Sequence, residues 1–140
     1  MMSPGEFAEK LLAAARAAET GLEVPTAEAM TLVAEKARSS LGTSGYGWAP
    51  HTETTIERWG EHPLGILSVE TQGGVGSMAA VAPGGAEGLV YDTTPQAVFF
   101  EMGTIHQPPR SFLYQSMVHS LDQIGTIFAG FAEKLLGGLG

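Results

Sequence analysis

The stretch FFEMGTIHQPPRSFL, residues 99–113, decides how the C-terminal half of this chain is organised. It joins an apolar run to a helical restart through one glycine and two prolines. Gly103 can adopt positive φ and end a strand sharply. Pro108 and Pro109 fix φ and disfavour helix in the residues before them. We therefore predict a strand that ends at residue 102, a stiff extended segment and a helix that begins near Phe112.

The residues around these breaks predict a positioning element, which we call the Pro-Arg elbow (residues 103–113). Arg110 carries a rigid fork of donors, and Phe112 with Leu113 forms an apolar anchor. Glu101 lies either on the solvent face of an edge strand or in a contact that orients a loop or reaches another subunit, because a partly buried carboxylate needs a partner. Arg110 is its nearest candidate partner in sequence. We expect this element to place one surface against another rather than to catalyse a reaction.

The sequence before the elbow predicts an antiparallel sheet of three or four strands over residues 64–102. The strand candidates are LGILSVET at 64–71, SMAAVA at 77–82, LVY at 89–91 and AVFFEM at 97–102. Glycine-rich segments separate them and are predicted to be flexible tips. Those tips, QGGVG at 72–76 and PGGAEG at 83–88, contain Gly73, Gly74, Val75, Gly76, Gly84 and Gly85.

Helical spacing dominates both ends of the chain. Ser3, Pro4 and Glu6 match an N-cap with a capping box, so a helix is predicted near 4–20, and apolar spacing predicts another near 26–41. A third is predicted over 111–136, where a continuous apolar seam either packs on the sheet or pairs two chains. The fold class is therefore α+β in one domain, with a helical part (1–42), a loop with a short helix (43–63), a sheet (64–102) and the elbow with its helix (103–140).

Composition and charge exclude several classes of function. The chain has 140 residues, 44% of them hydrophobic, and a net charge of −8. Sequence-independent nucleic-acid binding needs clustered Lys and Arg, and no such cluster is present. The absence of cysteine excludes disulfides and thiolate metal sites. The N-terminus does not resemble a signal peptide, and no run of about 18 apolar residues predicts a membrane span. We expect synthesis in the cytoplasm.

The histidines are the obvious candidates for chemistry. None of His51, His62, His106 and His119 stands at the close spacing that a zinc site favours. No nucleophile elbow appears, and GGVGS at 73–77 lacks the lysine and helix of a phosphate-binding loop. We therefore predict no catalytic residues, no metal and no cofactor. Two alternatives stay open: a small metal- or ligand-binding enzyme that uses His51, His62, His106 and Glu101, and a cytosolic dimer formed through the C-terminal seam.

The elbow also carries a family resemblance. Residues 100–104, FEMGT, followed after a short spacer by PPRSFL at 108–113, resemble the tail-completion family of long-tailed phages, in which a strand with Glu-Phe-Gly-Thr precedes Pro-x-Arg-Pro-Phe-Leu. The segment WAPHTETTIERWG, residues 48–60, is similar to a loop of related virion-morphogenesis proteins. Met102 replaces the usual aromatic residue, Ser111 replaces a second proline, and residues 64–76 lack the usual Thr-Gly-x-Leu start of the hairpin.

This resemblance implies a structural virion protein without catalysis, assembled in the host cytoplasm and located in the tail or neck. It implies a homo-oligomeric ring, usually a hexamer, that acts as a tail-completion or tail-terminator protein. Its partners would be other copies of itself, the head-completion or connector protein and the major tail tube protein, and DNA would pass through the lumen without specific binding. The glycine-rich tips would be docking loops. The resemblance assigns docking and subunit contacts to Trp48, Glu101, Gly103, Thr104, Pro108, Pro109, Arg110, Phe112 and Leu113.

Overall fold

The computed structural model describes residues 2–41, 46, 65–103 and 109–137, and these form a mixed helical and sheet structure. Their elements in chain order are α1 (Pro4–Gly21), α2 (Glu23–Ser40), α3 (Gly65–Gly74), β1 (Val75–Ala82), β2 (Gly85–Asp92), α4 (Ala97–Met102), α5 (Phe112–Val118) and α6 (Leu121–Gly137). They divide into two compact units, one of Met1–Met30, Met78–Leu89 and Leu121–Gly140, the other of Thr31–Ser77 and Val90–Ser120.

Helix α1 begins with the predicted capping box. The Ser3 hydroxyl oxygen accepts from the Glu6 N–H at 3.1 Å, and a Glu6 carboxylate oxygen accepts from the Ser3 N–H at 3.1 Å. Two N–H groups that no helical carbonyl can reach are thereby satisfied. Pro4 at the first helical position lacks an N–H and has a φ suited to the helix. The predicted start of this helix is confirmed.

The first unit has a small core. Helix α1 contacts α6, where the Phe131 ring lies so close to Gly21 that an added Cβ would be 3.2 Å from it. Neither of these helices contains a fully buried residue. The buried apolar side chains of this unit among the described residues are Pro25, Ala29 and Met30 of α2. Strand β2 approaches this part of α2 at Gly88. Much apolar side-chain surface therefore stays exposed in the isolated chain.

The second unit has the larger core of the two. It gathers side chains from several elements around the fully buried Phe112 ring, with Val90 and Leu113 packed at its edge. This contiguous cluster is what fixes α4 and α5 against the C-terminal half of α2. Its buried members are Ala34, Ala37, Leu41, Val75, Ala97, Phe100 and Phe112.

Two predicted strands are helices. Residues 65–74 form α3 instead of a strand, and residues 97–102 form α4. Short apolar runs do not distinguish strand from helix by periodicity. In α4 the buried side chains are Ala97 and Phe100, which are one helical turn apart, so the observed period is helical. The prediction that a strand enters Gly103 is wrong, and with it the predicted geometry of the elbow.

The described sheet is a two-stranded antiparallel hairpin, β1–β2, so the predicted three or four strands are not confirmed. Pro83 and Gly84 form its turn, and Gly84 has φ 79°. The prediction of a flexible tip at 72–76 is wrong. Gly73 and Gly74 end α3, and Val75 and Gly76 begin β1. Most of the second predicted tip lies in β2. The predicted C-terminal helix is interrupted at His119 and Ser120, between α5 and α6.

Candidate functional site

The segment that the sequence singled out is a corner between two short helices, which we call the α4–α5 corner (residues 97–103 and 109–118). Gly103 ends α4 with φ 75° and ψ 176°, and its N–H donates to the Phe99 carbonyl at 3.0 Å. Only glycine occupies this backbone region readily. The positive φ predicted at Gly103 is confirmed, although the residue ends a helix and not a strand.

Glu101 caps the next helix along the chain. One carboxylate oxygen accepts from the Leu113 N–H at 2.9 Å, and the other accepts from the Tyr114 N–H at 3.0 Å. Both N–H groups belong to the first turn of α5, where helical carbonyls are out of reach and the helix dipole favours a negative charge. Glu101 therefore makes the loop-orienting contact that was one of its two predicted roles.

Ser111 turns the chain into α5. Its φ of −71° and ψ of 66° are those of an inverse γ-turn, and the Phe112 N–H donates to the Arg110 carbonyl at 2.7 Å across it. The Ser111 hydroxyl donates to the Glu101 carbonyl at 2.8 Å. The Arg110 N–H donates to the Phe100 carbonyl. Backbone and side-chain bonds thus join the end of α4 to the start of α5 on both sides of the corner.

Arg110 and Phe112 are not displayed to solvent. Arg110 is 7% exposed, and Phe112 is 0% exposed within the core of the second unit. Desolvation by burial lowers the pKa of the Arg110 guanidinium, because burial disfavours its charged form. Among contacts between described residues, the Glu101 carboxylate bonds backbone N–H groups and not the predicted partner Arg110. Arg110 and Phe112 are therefore internal to the folded chain, and the expectation that these two side chains form a docking surface is corrected.

The other residues proposed for docking are dispersed. Pro109 is exposed and Leu113 is half-buried at the corner. Val75 is buried in β1, and Gly76 lies under the Tyr91 ring, where an added Cβ would be 2.7 Å from it. Gly84 is exposed in the hairpin turn, and a Cβ added there would meet no atom within 4 Å, as expected of a docking tip. Gly85, by contrast, is a buried residue of β2. The predicted contacts at Trp48, Thr104 and Pro108, and the histidines His51, His62 and His106, lie outside the described residues.

A polar cluster at the end of α5 was missed. The Tyr46 hydroxyl is 2.7 Å from the hydroxyl of the fully buried Ser116, and its ring stacks on the His119 ring with centroids 4.5 Å apart. The Ser120 hydroxyl donates to the Ser116 carbonyl at 2.6 Å, and the Lys36 ammonium donates to the His119 carbonyl at 3.3 Å. The contacts of Tyr46 and Lys36 join residues 70 to 83 positions apart in the sequence. No local pattern could have predicted these two sets of contacts.

The outer side of the corner is apolar. Val98, Phe99 and Met102 of α4 are 59%, 57% and 73% exposed, and Tyr114 and Val118 of α5 are exposed as well. In the part of the chain that the structure describes, no three His, Asp or Glu side chains are placed to hold a metal ion. No described helix is long and apolar enough to cross a membrane. The corner therefore combines internal hydrogen bonds between α4 and α5 with several exposed apolar side chains.

Comparisons with protein-family models, with curated proteins and with solved structures find no match for this chain.

Proposed function

We propose that this chain is a structural subunit of a tailed-phage virion that works by assembling with copies of itself. In this proposal it forms a homo-oligomeric ring that joins the tail tube to the head-completion ring, as a tail-completion or tail-terminator protein. The resemblance of residues 100–104 and 108–113 to that family suggests the particular assembly. The proposal includes no catalytic step and no cofactor.

The observation that carries the proposal is the unburied apolar surface. Helices α1 and α6 are amphipathic, yet neither contains a buried residue. Fourteen large apolar side chains, drawn from both units, are at least 41% exposed. Monomeric proteins rarely leave large apolar patches uncovered, and such patches mark interaction sites. Assembly with other copies would bury it. The exposed outer face of the α4–α5 corner, with Val98, Phe99 and Met102, is a second candidate surface for a neighbouring protein.

The charge of the chain fits a ring around DNA. With seven Lys and Arg against fifteen Asp and Glu, the net charge is −8. Lysine and arginine side chains displace counterions from phosphates and so cause adhesion to DNA. A lumen poor in these residues would let the genome slide past without binding. The negative net charge is consistent with the proposal but is not its main support, because a negative net charge also keeps proteins soluble.

The test is complementation of a phage that lacks this gene. We expect the deletion to yield separate heads and tails in electron micrographs, and the wild-type gene supplied in trans to restore joined particles. An antibody against the chain should label the neck. Normal particle assembly without the gene, or a label spread over the capsid, would exclude the proposed role. Tight binding of one zinc ion per chain, with a large rise in melting temperature, would favour the enzyme alternative.

A further inference from the structure

The first compact unit contains a cleft between the start of α2 and the middle of α6. Its volume is about 310 Å³, and Val24, Pro25, Ile127 and Phe131 provide its apolar walls. Glu28 and Lys134 supply charge at the cleft. This volume lies at the lower end of the range for small-molecule sites. Gly130 also lines the cleft, and an added Cβ at this position would meet no atom within 4 Å. The space is therefore suited to a few apolar side chains.

The same unit also presents an uncovered apolar stripe. Phe7 and Leu11 of α1, one helical turn apart, are 48% and 49% exposed, and we call this pair the N-terminal stripe. Helix α1 meets α6 at Gly21 and Phe131. Phe7 lies about 21 Å along the helix axis from Gly21. From Phe131, α6 continues for only about 9 Å to its C-terminal end and about 15 Å to its N-terminal end. The stripe therefore projects beyond the reach of α6.

The stripe cannot fill the cleft of its own chain. Phe131 lines the cleft and contacts Gly21, so Phe7 is about 21 Å along a rigid helix from that wall. A second copy has no such restriction. Both surfaces carry charges of both signs: Glu6 and Lys10 are sequence neighbours of Phe7 and Leu11, and Glu28 and Lys134 line the cleft. Each charge beside the stripe therefore has an opposite charge at the cleft with which it can pair.

We infer that the N-terminal stripe of one copy packs into the α2–α6 cleft of a second copy. The inference deepens the proposed homo-oligomer and rests on it. In the proposed ring this contact is head-to-tail, with the stripe of each copy in the cleft of the next, and such contacts form a ring when the rotation closes. Each copy offers one stripe and one cleft, so every copy in a closed ring has both surfaces covered.

Two pairs of matched variants of the full chain test the contact by sedimentation velocity over a concentration series. Gly130→Leu fills the cleft, whereas Gly125→Leu adds the same side chain to the same helix, also in open space, but not in the cleft. Leu11→Ser removes half of the stripe, whereas Leu12→Ser removes a leucine of similar exposure, 52%, about 100° around the helix. We expect Gly130→Leu and Leu11→Ser to weaken self-association at least about tenfold, and the two controls to change it by less than about twofold.

Mixing the two disabled chains gives the sharpest outcome. Leu11→Ser keeps an intact cleft and Gly130→Leu keeps an intact stripe, so a head-to-tail contact predicts that their mixture forms dimers that do not grow. Wild-type chain that stays monomeric throughout the series would overturn the contact, and so would a Gly130→Leu chain that associates like Gly125→Leu. Association through other surfaces would leave the virion role standing. Conversely, particles that assemble without the gene would exclude that role and leave this contact in place.

Discussion

The cap that Glu101 places on α5 makes a quantitative prediction. Its two oxygens accept from the Leu113 and Tyr114 N–H groups at 2.9 and 3.0 Å. Losing a helix cap typically costs about 0.5–2 kcal/mol, and losing a favourable charge at the first turn costs about 0.3–1 kcal/mol. Glu101→Ala removes both, so we expect the free energy of unfolding to fall by about 1–2 kcal/mol. Glu101→Gln keeps one acceptor and should lose about half of that.

Urea unfolding followed by far-ultraviolet circular dichroism measures the change in global stability, with the exposed Glu87→Gln as the control. Amide hydrogen exchange supplies the local measurement. In Glu101→Ala the Leu113 and Tyr114 amides should exchange faster, because the carboxylate oxygens that accept from them are gone. The Gln115 amide should keep more protection, because it donates to the Ser111 carbonyl at 2.8 Å. Unchanged exchange at Leu113 and Tyr114 would refute the capping role.

Four further substitutions test the packing by urea unfolding. Gly103→Val should destabilise by about 1–3 kcal/mol, since a β-branched residue would be forced into a backbone region that is nearly exclusive to glycine; a wild-type midpoint would contradict this. Phe112→Ala should cost about 3–5 kcal/mol because the ring is 0% exposed, and a loss below about 1 kcal/mol would mean that the ring is not in the core. Gly76→Val should cost about 1–3 kcal/mol through collision with Tyr91, whereas Gly73→Ala, in open space at the end of α3, should be neutral or stabilising by up to about 1 kcal/mol.

The parts of the fold that the sequence predicts correctly depend on local signals. The capping box of α1 needs only Ser3, Pro4 and Glu6, which are neighbours in sequence. The positive φ at Gly103 follows from the freedom of glycine at a break in the pattern. The helices at both ends have apolar residues at helical spacing over many turns, which is the most reliable pattern available. In each case, the deciding interactions lie within a few residues.

The wrong predictions concern short apolar segments whose secondary structure is determined by tertiary contacts. AVFFEM reads as a strand because Val98 and Phe100 alternate with Phe99 and Glu101, yet the core takes Ala97 and Phe100 and leaves Phe99 exposed. That choice depends on α2 and α5, whose contacts a local pattern does not contain. The partners of Glu101 are likewise backbone groups 12 and 13 residues away. Sequence could predict that this carboxylate needs a partner but not which one.

The burial of Arg110 and Phe112 changes how mutations in the Pro-Arg elbow are to be interpreted. Both side chains are internal to the second unit, so their removal acts first on folding of the chain. A phage that fails to join heads and tails after Phe112→Ala would therefore report lost subunit stability, not a lost docking contact. Docking is instead tested at side chains that the folded chain leaves exposed and that no internal bond uses. On the α4–α5 corner, Val98, Phe99 and Met102 of α4 are such side chains. Polar substitutions there should leave unfolding nearly unchanged, so that any defect in particle assembly is attributable to the contact itself.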